Sequence, residues 1–334
     1  MRMISAGDVD RCLDFPDLIE ALREAFRVGA IQPTRHHHHV EKPDGAASTL
    51  LLMPAWTDFT AAGSSAGGYI GVKIVTVSPD NNTLGKPAVM GLHLLLDGTT
   101  GEPKALIDGQ RLTLWRTAAA SALAATYLAR GDASRLLVVG AGALAPFLAR
   151  AHSAVRPIRE IRIWNRTPAN AERVAGALRS QGYAAAAADD LDASIGWADI
   201  VSCATISSTA LVQGALLKPG THLDLVGAFT PQMRESDDEA IRRARIFVDT
   251  RAGAMKEAGD IVQPLASGVL AEKDIVADLA ELTRGDKAGR ADDGEITLFK
   301  SVGAALEDLA AGKLVYERVG SAATSAGTAP PAGR

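Results

Sequence analysis

The pattern of apolar and polar positions changes character once along the chain, near residue 112. Before that point, "DFPDLIEALREAFRVGA" places Leu18, Ile19, Leu22, Ala25 and Phe26 at helical spacing and predicts an amphipathic helix. "STLLLMPAW", "GYIGVKIVTV" and "VMGLHLLLD" then read as strands separated by Gly-, Pro- and Asn-rich turns, and "DGTTGEP" as a hairpin turn. A helix with a largely antiparallel sheet is expected there. After residue 112 the rhythm alternates. "LTLWRTAAASALAATYLAR" predicts a long Ala-rich helix, "SRLLVVG" a buried strand, "ALAPFLARAHSAV" a helix, "EIRIWN" a strand and "NAERVAGALRSQG" a helix. "ADIVSCA", "THLDLVGA" and "ARIFVDT" supply further strands, so this part is expected to be a parallel, doubly wound sheet. "EITLFKSVGAALEDLAAGKLVYERV" reads as a helix of several turns, and "GSAATSAGTAPPAGR" as a disordered tail of small and breaking residues. The fold class expected is α/β: a Rossmann doubly wound sheet plus a split α+β domain.

Composition narrows the function classes. A chain of 334 residues suggests two domains, and 47% hydrophobic residues allow a sizeable core. The net charge of −4 gives no sign of a nucleic-acid partner. The two cysteines, Cys12 and Cys203, form no CxxC pair and indicate neither a disulfide framework nor a zinc site. The N-terminus lacks the apolar core of a signal peptide, and no apolar run approaches the roughly 20 residues of a membrane helix. A soluble, cytoplasmic protein is the expectation.

Two stretches carry candidate chemistry. In "VVGAGALAPF", Gly140, Gly142 and Ala145 stand at the G-x-G-x-x-A spacing, after a strand and at the start of a helix. The first Gly permits the tight turn, the second admits a pyrophosphate to the backbone, and the small third residue lets helix and strand pack closely. Gly140, Ala141, Gly142, Ala143 and Leu144 are therefore candidate dinucleotide contacts. At the end of the following strand, "IWNRT" places Asn165, Arg166 and Thr167 where NAD-specific folds carry an acid. A guanidinium and a hydroxyl suit a 2′-phosphate, which favours NADPH, with NADH as the alternative. Thr167 could instead simply cap the next helix, ahead of Pro168.

The second stretch is "PTRHHHHVEKP". Zinc ligands come from separated positions, and consecutive residues of an extended run alternate between faces, so His36 to His39 predict no metal site. Arg35 beside them is a fixed cation able to hold a carboxylate bidentately.

The stretches "RHHHH", "LLLMPAW", "GVKIVTVSPDN", "LDGTTGEPKALIDGQRLTLWRTAAASALA", "VVGAGALA", "WNRT", "LVGAFTP" and "ITLFKSVGAALEDLAA" together resemble the ornithine cyclodeaminase/mu-crystallin family, in its order, over roughly residues 30 to 315. The resemblance implies a substrate-binding and dimerisation domain from 1–115 and 305–320, and a Rossmann domain over 116–304. The disordered tail would then be 321–334. It implies a homodimer formed through the substrate-domain sheets. It further implies that Arg35, Lys73 and Arg116 line a strongly cationic pocket for an amino- or imino-acid carboxylate. Lys73 is the catalytic candidate; a solvated strand residue is the alternative, made uncomfortable by Ile70, Val72, Ile74 and Val75 around it. For Arg116 the alternative is a helix-surface cation. Thr117, Thr205, Val226 and Ser301 would contact the cofactor, Thr205 and Ser301 near the nicotinamide, with backbone capping as their alternative.

Two departures matter. Cyclodeaminases of the family carry an Asp in a "VG-x-D" region after the fifth Rossmann strand, where this chain has Phe229; an apolar ring cannot bind the substrate's side-chain amine. Leu144 stands where many members have Gln. The "GAFTP" form is similar to the family's cyclic-imine reductases, which act on Δ1-pyrroline-2-carboxylate and Δ1-piperideine-2-carboxylate. The expected reaction is hydride transfer from NADPH to C2 of such a ketimine, giving L-proline or L-pipecolate. The alternatives are a cis-3-hydroxy-L-proline dehydratase, an ornithine cyclodeaminase, and a non-enzymatic binder like mu-crystallin.

Overall fold

The computed structural model describes residues 1–60 and 68–326, without the side chains of Asn82 and 321–326. The chain divides into two compact units, 1–116 with 305–334, and 117–304.

The first unit is built from β1 (Arg2–Ile4), α1 (Ala6–Cys12), α2 (Phe15–Val28), β2 (His36–Val40), β3 (Ser48–Trp56), β4 (Tyr69–Val77), β5 (Val89–Asp97), β6 (Pro103–Asp108), the start of α3 (Gly109–Leu128) and α11 (Ala305–Ala326). Its six-stranded sheet has the order β1-β6-β5-β4-β3-β2 and is antiparallel except for the β1–β6 pair. The expected strands and the hairpin turn are present; Gly101, with φ +74°, closes the turn between β5 and β6. α2 forms where the apolar spacing predicted it. Asp14 caps it by accepting from Asp17 N at 3.0 Å, and Gly29, at φ +87°, ends it. Its buried stripe, Leu18, Ile19, Leu22 and Phe26, packs beside α11, which lies across β3, β4 and β5.

The second unit contains the rest of α3, then β7 (Arg135–Val139), α4 (Ala145–Val155), β8 (Glu160–Trp164), α5 (Pro168–Arg179), β9 (Ala185–Ala188), α6 (Leu191–Trp197), β10 (Ile200–Cys203), β11 (His222–Leu225), α7 (Asp238–Arg243), β12 (Ala244–Val248), α8 (Arg251–Glu257), α9 (Gly259–Ser267), β13 (Ile275–Asp278), α10 (Leu279–Arg284) and β14 (Ile296–Lys300). All its strand pairs are parallel, in the order β13-β12-β14-β11-β10-β7-β8-β9. The chain therefore runs outward from β7 through β8 and β9, then returns to the other side of β7 with β10. That reversal between β7 and β10 is where a doubly wound sheet opens a crevice beyond its strand ends.

Two expectations are corrected. "EITLFKSVGAALEDLAAGKLVYERV" is not one helix. Its first part is β14, fully buried between β11 and β12, and the helix begins at Ala305. A short apolar run covered on both faces carries no alternation to betray it as a strand. The helix also continues past residue 321 to Ala326, because "SAATSA" contains good helix formers and no breaker. The rest of the expected tail, 327–334, lies outside the described residues.

Candidate functional site

In the first unit, Lys73 occupies the middle of β4 and points to the face covered by α11. It is 3% exposed, and its Nζ lies 2.6 Å from Asp308 Oδ2, in the first turn of that helix. Arg116 reaches the same turn from α3. Its Nε donates to Asp308 Oδ1 at 3.0 Å and its Nη1 to Glu307 Oε2 at 2.8 Å. Glu307 and Asp308 are wholly buried. Arg35, half-buried at the start of β2, is close enough for its charge to act on Lys73. The three cations singled out in the sequence are thus gathered in one place, and neither Lys73 nor Arg116 is a solvated surface group.

The expectation of a strongly cationic site is corrected by the two acids. Glu307 and Asp308 pair with Lys73 and Arg116. Ions taken out of water must be paired, so a buried lysine and arginine require such partners. Neither acid was singled out in advance. The signal that could have found them is the one that marked Lys73: charged residues set in an apolar run, here "AALEDLAAG".

Burial pushes the Lys73 ammonium down to about 8, reinforced by the Arg116 charge and opposed by Asp308. Burial works against the charged form of Asp308 too, but Lys73 and Arg116 prevail and hold it below the usual carboxylate range. Directly across the β4–β5 register from Lys73 stands His93, buried, with no hydrogen-bond partner on either ring nitrogen. Burial lowers its pKa to about 4, so it is neutral at ordinary pH.

The His run forms β2, an exposed edge strand. Through its pairing with β3 and β4, His37 and His39 share the face of Lys73, while His36 and His38 share the opposite face with Ile74. The rings of His36 and His38 meet edge to face at 6.2 Å. Among the described residues no three His, Cys, Asp or Glu side chains are grouped to hold a metal ion.

In the second unit, the β7–α4 turn lies at the strand-order reversal. Gly140 has φ +110°, and a Cβ there would come 2.7 Å from Ala204 O, in the turn after β10. Gly142 differs: a Cβ there would meet no atom of the chain. The protein's own packing therefore does not demand glycine at 142, whereas a ligand seated on the turn would. Ala145 is fully buried against β7, as close helix–strand packing requires. At the N-cap of α4, Leu144 offers no side-chain cap, and no acid stands in the first turn, so no side-chain charge of the helix itself offsets its N-terminus, although Ala145 N donates to Gly142 O at 3.2 Å. The turn thus fits a pyrophosphate.

Beside it, Asn165 Oδ1 accepts from Ala141 N at 3.3 Å and Asn165 Nδ2 donates to Thr167 O at 3.1 Å, which joins the turn to the end of β8. Arg166 and Thr167 are exposed. Thr167 holds the N-cap position of α5, but its hydroxyl makes no cap hydrogen bond, so the simple capping alternative fails in its energetic part. The Ser301 hydroxyl donates to buried Asp249 at 3.0 Å, and the Thr205 hydroxyl donates to buried Glu235 at 2.8 Å while accepting from Ser207 N at 3.4 Å, so Thr205 also caps backbone. Thr117 and Val226 are nearly buried. Two shallow surface grooves, around Arg243 and Arg245 and around Arg234 and Arg242, contain none of these residues.

The whole length from residue 1 to residue 323 matches the model of the ornithine cyclodeaminase/mu-crystallin family. The chain belongs to that family. Within it, the Δ1-pyrroline-2-carboxylate reductase of Paracoccus denitrificans is 37% identical over 309 residues, 92% of this chain and 94% of that one. A solved structure of the Thermococcus litoralis Δ1-pyrroline-2-carboxylate reductase, in complex with NADH and L-proline, is similar with a TM-score of 0.89 at 34% identity, over 97% of this chain and 98% of that chain. An archaeal alanine dehydrogenase dimer with bound NAD is similar with a TM-score of 0.87 at 30% identity, over 97% of each chain. Among the described residues no helix is long and apolar enough to cross a membrane.

Proposed function

We propose that the protein is a nicotinamide-dependent oxidoreductase that reduces the C=N bond of a cyclic 2-imino acid, converting Δ1-pyrroline-2-carboxylate to L-proline and its six-membered counterpart to L-pipecolate. The observation that carries this reading is Lys73, a buried ammonium poised near pH 8 among Asp308, Arg116 and Arg35, in a chain related to reductases of this name. When bound, the reduced nicotinamide supplies a hydride to C2 of the ring. The chain's own residues supply the rest. Lys73 holds a proton at Nζ and gives it to the imine nitrogen, so that one hydride and one proton convert C=N to CH–NH. Asp308 keeps Lys73 protonated against the cost of burial. Arg35 and Arg116 hold the carboxylate. Two nitrogens of Arg116 are already fixed by Glu307 and Asp308, which orients its plane before substrate arrives. Phe229, in place of an acid, offers a side-chain amine neither a counter-charge nor a proton acceptor and disfavours cyclodeaminase chemistry.

NADPH is the proposed donor. An exposed Arg166 and a Thr167 hydroxyl not spent on capping provide a cation and a hydrogen-bonding group at the end of β8. The proposed assembly is a homodimer through the six-stranded sheet, whose outer face carries Ile74 opposite Leu92, 37% and 45% exposed.

The test is turnover of purified protein. Loss of NADPH absorbance with either ketimine, with formation of the L-amino acid, is expected. Ammonia release from ornithine, or ketimine formation from cis-3-hydroxy-L-proline without cofactor oxidation, would replace this reading with a lyase. Arg166→Asp should raise KM for NADPH by roughly tenfold or more, the loss of a charged hydrogen bond, and leave KM for NADH much less affected. A wild-type preference for NADH would contradict the cofactor assignment.

A further inference from the structure

Glu235 lies between β11 and α7, fully buried, and has no role in the site described above. Its carboxylate collects four donors. Oε1 accepts from Thr205 N at 2.7 Å and Thr205 Oγ1 at 2.8 Å; Oε2 accepts from Gly227 N at 2.8 Å and Ala228 N at 3.2 Å. One side chain thereby ties the turn after β10 to the turn after β11. The two turns also touch directly: a Cβ on Gly227 would fall 2.0 Å from Thr205 O and 2.4 Å from Glu235 Oε1.

Glu235 is itself held. Asp260 Oδ1 accepts from Glu235 N at 2.9 Å, and Asp260 Oδ2 lies 3.2 Å from Lys300 Nζ, which stands 3.9 Å from Glu235 Oε2. Burial, aided by the Asp260 charge, holds the Glu235 carboxyl above the usual carboxylate range, and Lys300 and the Thr205 hydrogen bonds oppose that effect. Every donor aimed at Glu235 comes from the two turns at the carboxyl ends of the strands, on the side of the sheet where doubly wound folds bind ligands, and next to the β7 turn at their common crevice.

We propose that Glu235 is a positioning residue for the nicotinamide half of the dinucleotide. By fixing the spacing between 204–207 and 226–229 it sets the seat of the ring, while the phosphates and adenosine half rest on 140–145 and 165–167. This rests on the dinucleotide reading above. A carboxylate suits the task because all four contacts are donors; an amide would turn an NH2 group against two of them.

The test compares wild type with Glu235→Gln and Glu235→Asp in the full-length protein, titrated with NADPH and with 2′-phospho-ADP-ribose, which lacks the nicotinamide. Glu235→Gln is expected to weaken NADPH binding at least tenfold, to change the affinity of the fragment less than twofold, and to lower the fluorescence yield of bound NADPH. Glu235→Asp keeps the charge on a shorter arm and should lose less on all counts; it also carries the test if Glu235→Gln does not fold. Unchanged NADPH affinity and fluorescence in the variants would overturn the proposal. So would equal losses for NADPH and fragment, which would make Glu235 a general fold residue. A wild-type protein that binds neither molecule would instead remove the dinucleotide reading itself, a result separable from both.

Discussion

A lysine with a pKa near 8 acts as an acid only below that pH. For Lys73 as proton donor, kcat/KM should hold on the acid side and fall as pH rises through about 8. Asp308 is the group that raises that value against burial and Arg116. Asp308→Asn should therefore move the alkaline limb to lower pH, and a limb that stays in place would take proton donation away from Lys73. The same substitution leaves a buried cation without its partner, at a cost of roughly 3–5 kcal/mol in stability, which thermal unfolding would show. Arg35→Lys keeps charge but loses the planar fork. It should lower kcat/KM for the imino acid roughly tenfold or more while leaving NADPH affinity nearly unchanged, because the proposed phosphate contacts lie at 140–145 and 165–167. Full activity in that variant would release Arg35 from substrate binding.

At the scale of elements, β5 and α11 meet at His93. Gly71 on β4 and Gly312 on α11 leave the slot for its ring; a Cβ on Gly312 would lie 2.7 Å from it. The slot offers no hydrogen bond, so the imidazole is tolerated only while neutral. Above its ordinary value of 6.5, His93 is neutral in both folded and unfolded chains and pH has no effect through it. Between 6.5 and about 4 the unfolded chain binds a proton that the folded one refuses, so stability falls by about 1.4 kcal/mol per pH unit, and below about 4 the loss is complete. From pH 7 to pH 5 the loss through this residue is about 2 kcal/mol. His93→Leu should flatten the acid dependence of denaturant midpoints by that amount; an unchanged slope would mean that the ring finds a partner in solution.

At the scale of the molecule, the outer face of the six-stranded sheet presents a cross-strand apolar pair, Ile74 and Leu92, 37% and 45% exposed, on which the proposed homodimer rests. If that proposal holds, the double change Ile74→Glu and Leu92→Glu should yield a monomer by light scattering, since the contact would bury unpaired charge. A variant of unchanged mass would place the contact elsewhere.

Local rules made much of this protein legible before its structure. Helical spacing marked α2, apolar runs between Gly-, Pro- and Asn-rich turns marked β3 to β5, and the strand–Gly–helix pattern located the β7–α4 turn, because each is set by neighbours a few residues away. Where local preference and tertiary context disagree, reading failed. "AAAA" at 185–188, where the pattern predicts no element, is the edge strand β9, because β8 offers it a ladder that its own propensity does not signal. "ITLFK" lost its strand signal because both its faces are covered. The acids of "ALEDLAAG" look like a solvated first turn, and only the packing of α11 on the sheet turns them into the counter-ions of Lys73 and Arg116. The sequence by itself determined which groups are available and which elements carry them. The tertiary structure decided which of those charges leave water together, and that decides the protonation of Lys73, because an ion's pKa depends on solvent and partners that no stretch of sequence contains.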